Sequence, residues 1–192
     1  MSGALITPAV LSKAGCAPAI AQAWAPMLEA ARSFGDIATP VRAAQWLTQL
    51  LHESSRLRFV VEIWSPAQVP AQARYEGHKG LGNTQPGDGM RFRGRGPLQI
   101  TGRANYARAR DKMRAAGITC PDFEADPDAL ADPRWGSLAA ALWWRDNSVN
   151  IWADRDNTRA VSGLVNQGDP RKPAMHLDRR LALREQLREV LG

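Results

Sequence analysis

Read for spacing alone, the chain divides into helical segments around one long irregular stretch. Val41, Trp46, Leu47, Leu50 and Leu51 recur at helical spacing as one apolar face. Thr39-Pro40 supplies its start, threonine as N-cap and proline at the first helical position, and the segment ends near Ser54. Thr7-Pro8 repeats that signal for a short helix stopped by Gly15. Another helix is expected from about Pro18 to Arg32, with Pro26 as its point of kinking. Helical spacing returns at about 102–116, 137–147 and 178–191, the last segment basic and amphipathic with Leu181, Leu187 and Leu191 turned inward. Between Ser65 and Gly96 the chain is rich in Gly, Pro, Asn and Asp, as in Gln85-Pro86-Gly87-Asp88-Gly89, and reads as turns and loops. Asp126, Asp132 and Asp169 each precede a proline and mark further turns. Helix dominates, and any strands are short and central.

Composition narrows the class. The 192 residues can bury one substantial core, so one domain is expected over 1–192, with no repeat or low-complexity linker to set off a second module. At 44% hydrophobic and 23% charged the chain should fold rather than stay disordered. No run approaches the roughly 18 apolar residues of a membrane span. Residues 1–13 lack a basic n-region, so a conventional signal peptide is not expected. Cys16 and Cys120 are far apart, which gives no support to a disulfide framework and favours free buried thiols. The net charge of +6 favours polyanionic partners: nucleic acids, anionic lipids or charged polymers. Basic residues gather at Arg91, Arg93, Arg95 and Arg103 and again from Arg171 to Arg188.

The candidate chemistry centres on two carboxyls. Glu53 falls at the end of an apolar helix, where a carboxyl among hydrophobic neighbours suits proton donation. Glu62 lies in the apolar run Phe59-Val60-Val61-Glu62-Ile63-Trp64, read as a strand or extended segment. Such a pair can act as acid and base, and carboxyls roughly 6.5 to 9.5 Å apart leave room for a water and give inversion. On spacing alone a plain helix-end or surface glutamate is the far commoner reading of each. Gly94-Arg95-Gly96-Pro97-Leu98-Gln99-Ile100-Thr101, followed by Asn105-Tyr106, adds a polar run in which Gln99 and Thr101 would share one strand face.

These residues, with Arg74-Tyr75-Glu76-Gly77, Gly87-Asp88-Gly89 and Asn166-Gln167-Gly168, resemble glycoside hydrolase family 19, the chitinase and phage-endolysin family. The resemblance implies a mainly α, lysozyme-like α+β fold with a long loop and two lobes around a cleft. It implies Glu53 as general acid, Glu62 as base and Thr101 as a holder of the catalytic water. Gln99, Asn105, Tyr106, Asn166 and Arg180 would meet the sugar, with Arg179 as the alternative to Arg180. Glu76 is the rival base, read first as a loop-ordering residue. Glu53-Ser54 replaces the family's usual Glu-Thr, and Asn166-Gln167-Gly168 replaces Asn-Gly-Gly.

Trp64 and Tyr75 are placed for substrate, with core packing the competing role, whereas Trp143, Trp144 and Trp152 read as core. The loop arginines fit carboxylates on a substrate or, equally, a solvated basic face. His52 is read as an orienting or capping residue. With no His-Glu-x-x-His pattern and no Cys/His cluster, no metal or cofactor is expected. No nucleic-acid-binding signature appears. The resulting expectation is a monomeric endolysin that cuts the β-1,4 bond between N-acetylmuramic acid and N-acetylglucosamine in peptidoglycan. It would be made in the cytoplasm, act in the cell wall after release, and touch anionic membrane surfaces at most transiently. A chitinase and a non-catalytic sugar-binding protein are the alternatives.

Overall fold

The computed structural model describes residues 3–191. Among the described residues ten α-helices form the frame: α1 (Pro8–Lys13), α2 (Pro18–Ala31), α3 (Pro40–Glu53), α4 (Pro70–Ala73), α5 (Asp88–Arg91), α6 (Arg103–Ala115), α7 (Pro133–Asp146), α8 (Asn150–Ala153), α9 (Thr158–Gln167) and α10 (Leu177–Leu191). The expected mainly α fold is what the structure has. Proline starts are real caps. Thr7 Oγ1 accepts from Val10 N, Thr39 Oγ1 from Arg42 N and Asp132 Oδ1 from Arg134 N, each occupying a donor the helix leaves free. Asp132-Pro133 therefore opens α7 a turn before the expected start, and Pro26 lies inside α2 without ending it.

One hydrophobic cluster runs from Ile6 to Leu187, with Trp46 and Trp144 fully buried at its centre. Helix α3 is its axle. Every residue from Ala43 to Leu51 is buried, including Gln45, Thr48 and Gln49 on what the sequence presents as the polar side. Gln45, Gln49 and Glu53 fall at intervals of four, one stripe of the helix. The stripe faces α9 and α10: Gln45 Nε2 donates to Thr158 Oγ1 and to Asp156 Oδ1, and Gln49 Nε2 donates to Ser162 Oγ. Arg184 of α10 pairs with Asp156. A buried polar seam thus runs between three helices and ends at Glu53.

This corrects the expectation for the C-terminal helix. Its buried face is Arg180, Leu183, Arg184 and Leu187, with two arginines inward, whereas Leu181 and Leu191 are only half-buried. Its basic character is spent partly inside the protein.

Strand structure among the described residues is limited to isolated bridges, Val61 with Arg95 and Arg95 with Ile100, both antiparallel. They tie the segments 60–62, 94–96 and 99–101 together inside the long connection, which also contains α4, a turn of 3-10 helix at Lys79–Leu81, and α5. Of the two free cysteines Cys16 is buried, as expected, and burial pushes its thiol up to about 11, while Cys120 is only partly covered.

Candidate active site

Glu53 is the last residue of α3. Its Oε1 accepts from Arg180 Nη2 at 2.5 Å, and Arg180 Nη1 donates to Gln49 Oε1 at 2.6 Å. The Arg180 side chain is 1% exposed and that of Glu53 25%. The apolar surroundings expected for Glu53 are thus replaced on one side by an ion pair, and Arg180, expected to meet sugar, is buried beneath the carboxyl it holds. Arg180 Nε also donates to Met175 O, and Met175 N donates to Asn166 Oδ1. Asn166 is thereby brought within a short hydrogen-bonded chain of Glu53. His52 and His176 lie beside this cluster with ring centroids 6.2 Å apart. Burial, and then the Arg180 charge, hold His52 below its ordinary value.

Directly after Glu53 the chain makes a left-handed turn. Ser55, Arg56 and Leu57 have φ of 49°, 63° and 63°, a conformation costing about 1–2 kcal/mol per non-glycine residue. Leu51 O accepts from Arg56 N at 2.7 Å, Ser54 Oγ accepts from Leu57 N at 2.9 Å, and Ala14 O accepts from Arg56 Nε at 2.8 Å. Leu57 is buried. The strain is held by these contacts and fixes the path from Glu53 to Glu62.

Glu62 sits on the bridged segment, its N donating to Gly94 O. Its carboxylate is cradled: Oε1 accepts from Gln72 Nε2 at 2.9 Å and weakly from Tyr75 OH at 3.4 Å, and Oε2 accepts from Gly94 N at 2.9 Å. Gln72 is buried and also donates to Ile63 O. Burial, followed by the facing Glu62 charge, raises the Tyr75 phenol above its ordinary value and keeps it a donor. Trp64 lies against Tyr75, centroids 6.1 Å apart, and both rings are half-buried.

Gln99 reaches the same place. A Cβ on Gly94 would fall 2.4 Å from Gln99 Oε1 and 3.3 Å from Glu62 Oε2, so any side chain there would displace the end of Gln99 and crowd Glu62. Gln99 and Thr101 do not share a strand face. Gln99 closes a turn from Gly96 with φ 51°, and Thr101 Oγ1 donates back to Gln99 O. Asn105, in the first turn of α6, donates through Nδ2 to Thr101 O at 2.7 Å. Gln99, Thr101 and Asn105 line a groove of about 570 Å³ between α6 and α7, into which Trp143 also projects; neither Glu53 nor Glu62 lines it.

Tyr106, expected with the cleft residues, is fully buried instead. Its hydroxyl accepts from Arg95 Nη1 and donates to Arg93 O, and its ring packs edge-on to Phe92. It is a post beneath the 92–101 segment. Of the loop arginines, Arg95 is buried and pairs with Asp128, Arg103 pairs with Asp88, and Arg91 donates to the carbonyls of Glu124 and Ala125. These serve the scaffold.

Glu76 is also a loop residue: Oε1 accepts from Gly87 N at 2.6 Å and Oε2 from Gly89 N at 2.8 Å, a clasp across the start of α5. Among the described residues no three His, Cys, Asp or Glu side chains gather as a metal site. Gln49 and Gln72, which hold the two carboxyl clusters, were not singled out by sequence. For Gln49 the four-residue interval to Glu53 was the available signal; for Gln72 there was none.

No protein-family model matches the chain. Among solved structures, chitinase C from Streptomyces griseus HUT6037 aligns over 100% of this chain and 95% of its own, with TM-score 0.66 and 22% identity. A chitinase C carrying a glutamate-to-glutamine substitution aligns over 100% and 94%, with TM-score 0.65 and 21% identity. At this identity the likeness is one of fold.

Proposed function

We propose that the protein is an inverting glycoside hydrolase that cuts β-1,4 bonds in peptidoglycan, with Glu53 as general acid and Glu62 as general base. The observation that carries this reading is the separate mounting of two carboxyls on either side of the left-handed turn at 55–57, Glu53 held by Arg180 and Glu62 by Gln72, Tyr75 and Gly94 N. Glu53 gives its proton to the bridging oxygen as the bond to the anomeric carbon breaks. Arg180 lies against the charge left on Glu53. Water adds to the anomeric carbon from the opposite face and passes its proton to Glu62. A carboxylate offers about four acceptor positions. Gln72, Tyr75 and Gly94 take three, leaving one on Oε2 for that water.

In this reading Thr101 helps hold the water, Gln99, Asn105 and Asn166 grip the sugar, and Trp64 with Tyr75 offers a ring face. Arg180 is a positioning residue. Chitin is the second reading, favoured by the two solved neighbours, both named chitinase C.

Digestion of Gram-negative peptidoglycan, reduction of the new ends with borohydride and mass spectrometry tests the proposal against Glu53→Gln. Reduced muramic acid ends from the wild type alone support it. Intact peptidoglycan with cleaved N-acetylglucosamine oligomers moves the substrate to chitin. If neither polymer is cut, the hydrolase reading fails.

A further inference from the structure

The groove beside Gln99 extends well past the residues assigned to the reaction. On α6, Asn105, Arg108 and Lys112 fall at i, i+3 and i+7, one face of the helix over roughly 10 Å of its length. On α7, Ala139, Trp143 and Asp146, at i, i+4 and i+7, form the opposing wall. At about 570 Å³ the groove lies in the range of small-ligand sites, roughly 300–1,000 Å³. Its floor is apolar, from Leu98, Ile100, Ala109 and Leu142, and Trp143 stands half-buried beside it. That combination suits the ring face and N-acetyl methyl of a sugar.

The charge in the groove is unequal. Lys112 is paired with Asp146. Arg108 is exposed, and its side chain makes one hydrogen bond among the described residues, Nη1 donating to Asn105 Oδ1 at 2.8 Å; no carboxylate among them pairs with it. A guanidinium carries five donors in a planar fork that matches a carboxylate. Arg108 therefore faces the groove with most of its donors free, while its single bond completes the chain Arg108–Asn105–Thr101.

We propose that this groove is the subsite for a sugar residue bearing a carboxylate, and that Arg108 selects for that carboxylate over a neutral N-acetylglucosamine polymer. The inference rests on the glycoside hydrolase reading and names its substrate class. In peptidoglycan the carboxylate has two sources: the lactyl group of a peptide-free muramyl residue, or the stem peptide.

The test compares kcat/KM for wild type, Arg108→Gln and Arg108→Lys on three soluble substrates: peptide-free glycan strands, peptide-bearing strands and the neutral N-acetylglucosamine hexamer. Arg108→Gln lowers the ratio of carboxylate-bearing to neutral activity at least tenfold, equivalent to about 1.4 kcal/mol, and Arg108→Lys restores part of it. A fall confined to peptide-free strands assigns the lactyl carboxylate, and one confined to peptide-bearing strands assigns the stem peptide. Equal losses on all three substrates overturn the proposal. Calorimetric binding of the same three ligands to Glu53→Gln, with and without Arg108→Gln, separates the two readings. If the wild type cuts nothing yet carboxylate-bearing strands bind through Arg108, the hydrolase reading fails and the subsite stands. Binding indifferent to Arg108 removes the subsite.

Discussion

Replacing Arg180 by Met probes the seam that ends at Glu53. The guanidinium, 1% exposed, holds Glu53 at 2.5 Å and Gln49 at 2.6 Å. Removing one member of a buried ion pair costs about 3–5 kcal/mol. Glu53 is 25% exposed, so water recovers part of that, and about 2 kcal/mol remains for the charge. Gln49 Oε1, left without its donor inside the seam, adds about 2 kcal/mol. For a chain of this size each kcal/mol moves the melting temperature by roughly 2–4 °C, so a loss of about 4 kcal/mol lowers Tm by about 8–16 °C. Thermal unfolding followed by circular dichroism measures it. The double variant Gln49→Met, Arg180→Met removes the Gln49 acceptor together with its donor and should lose less than the sum of the single variants by about 1–3 kcal/mol. A Tm within 3 °C of wild type for Arg180→Met, or strict additivity, would refute the seam as a coupled unit.

Gly94→Ala places a Cβ 2.4 Å from Gln99 Oε1 and 3.3 Å from Glu62 Oε2, displacing Gln99 and pressing on the base; kcat/KM should fall about tenfold, and full activity would show that neither side chain's placement matters to turnover. Glu76→Ala orphans the amides of Gly87 and Gly89, so about 1–2 kcal/mol of stability and the slow amide exchange at 87–89 should be lost while kcat falls less than tenfold; a kcat loss matching Glu62→Gln would make Glu76 the base. His52, held low by burial and then by Arg180, favours the neutral imidazole in the fold, so its contribution is full above the ordinary value of about 6.5 and disappears as pH falls through the lower folded value. The urea midpoint of wild type should therefore drop more between pH 7 and pH 5 than that of His52→Asn, and equal drops would contradict the assignment.

What the sequence discloses about this fold is local. Thr7 and Thr39 announce their helices because a cap acts within three residues of itself, whereas Asp132, also a cap, reads in the sequence as one of three Asp-Pro turns. The end of α3 at Glu53 is legible for the same reason, since Pro40 and the spacing of Trp46, Leu47, Leu50 and Leu51 place it. The seam is not, because Gln45 and Gln49 look like the wet side of an amphipathic helix until Ser162 and Arg180, 113 and 131 residues from Gln49, cover them. Arg180 and Arg184 mislead in the same way, as charged residues that turn inward because their carboxylate partners are distant in sequence. Alternation at Gln99 and Thr101 imitates a strand, but the glycine turn at Gly96 and the positive φ of Gln99 leave only a bridge at Ile100. In the long connection, Gln72, Glu76 and Asn83 work through backbone groups of residues up to twenty positions away, contacts that leave no period to read.

The two-carboxylate mechanism is tested most directly by the anomer first released. Time-resolved proton NMR of a soluble β-linked N-acetylated glycan oligomer should show the α-anomer appearing before mutarotation with wild type, and no product above background with either Glu53→Gln or Glu62→Gln. The β-anomer first, or undiminished turnover in either variant, would contradict the assignment of Glu53 and Glu62 as acid and base across an inverting site.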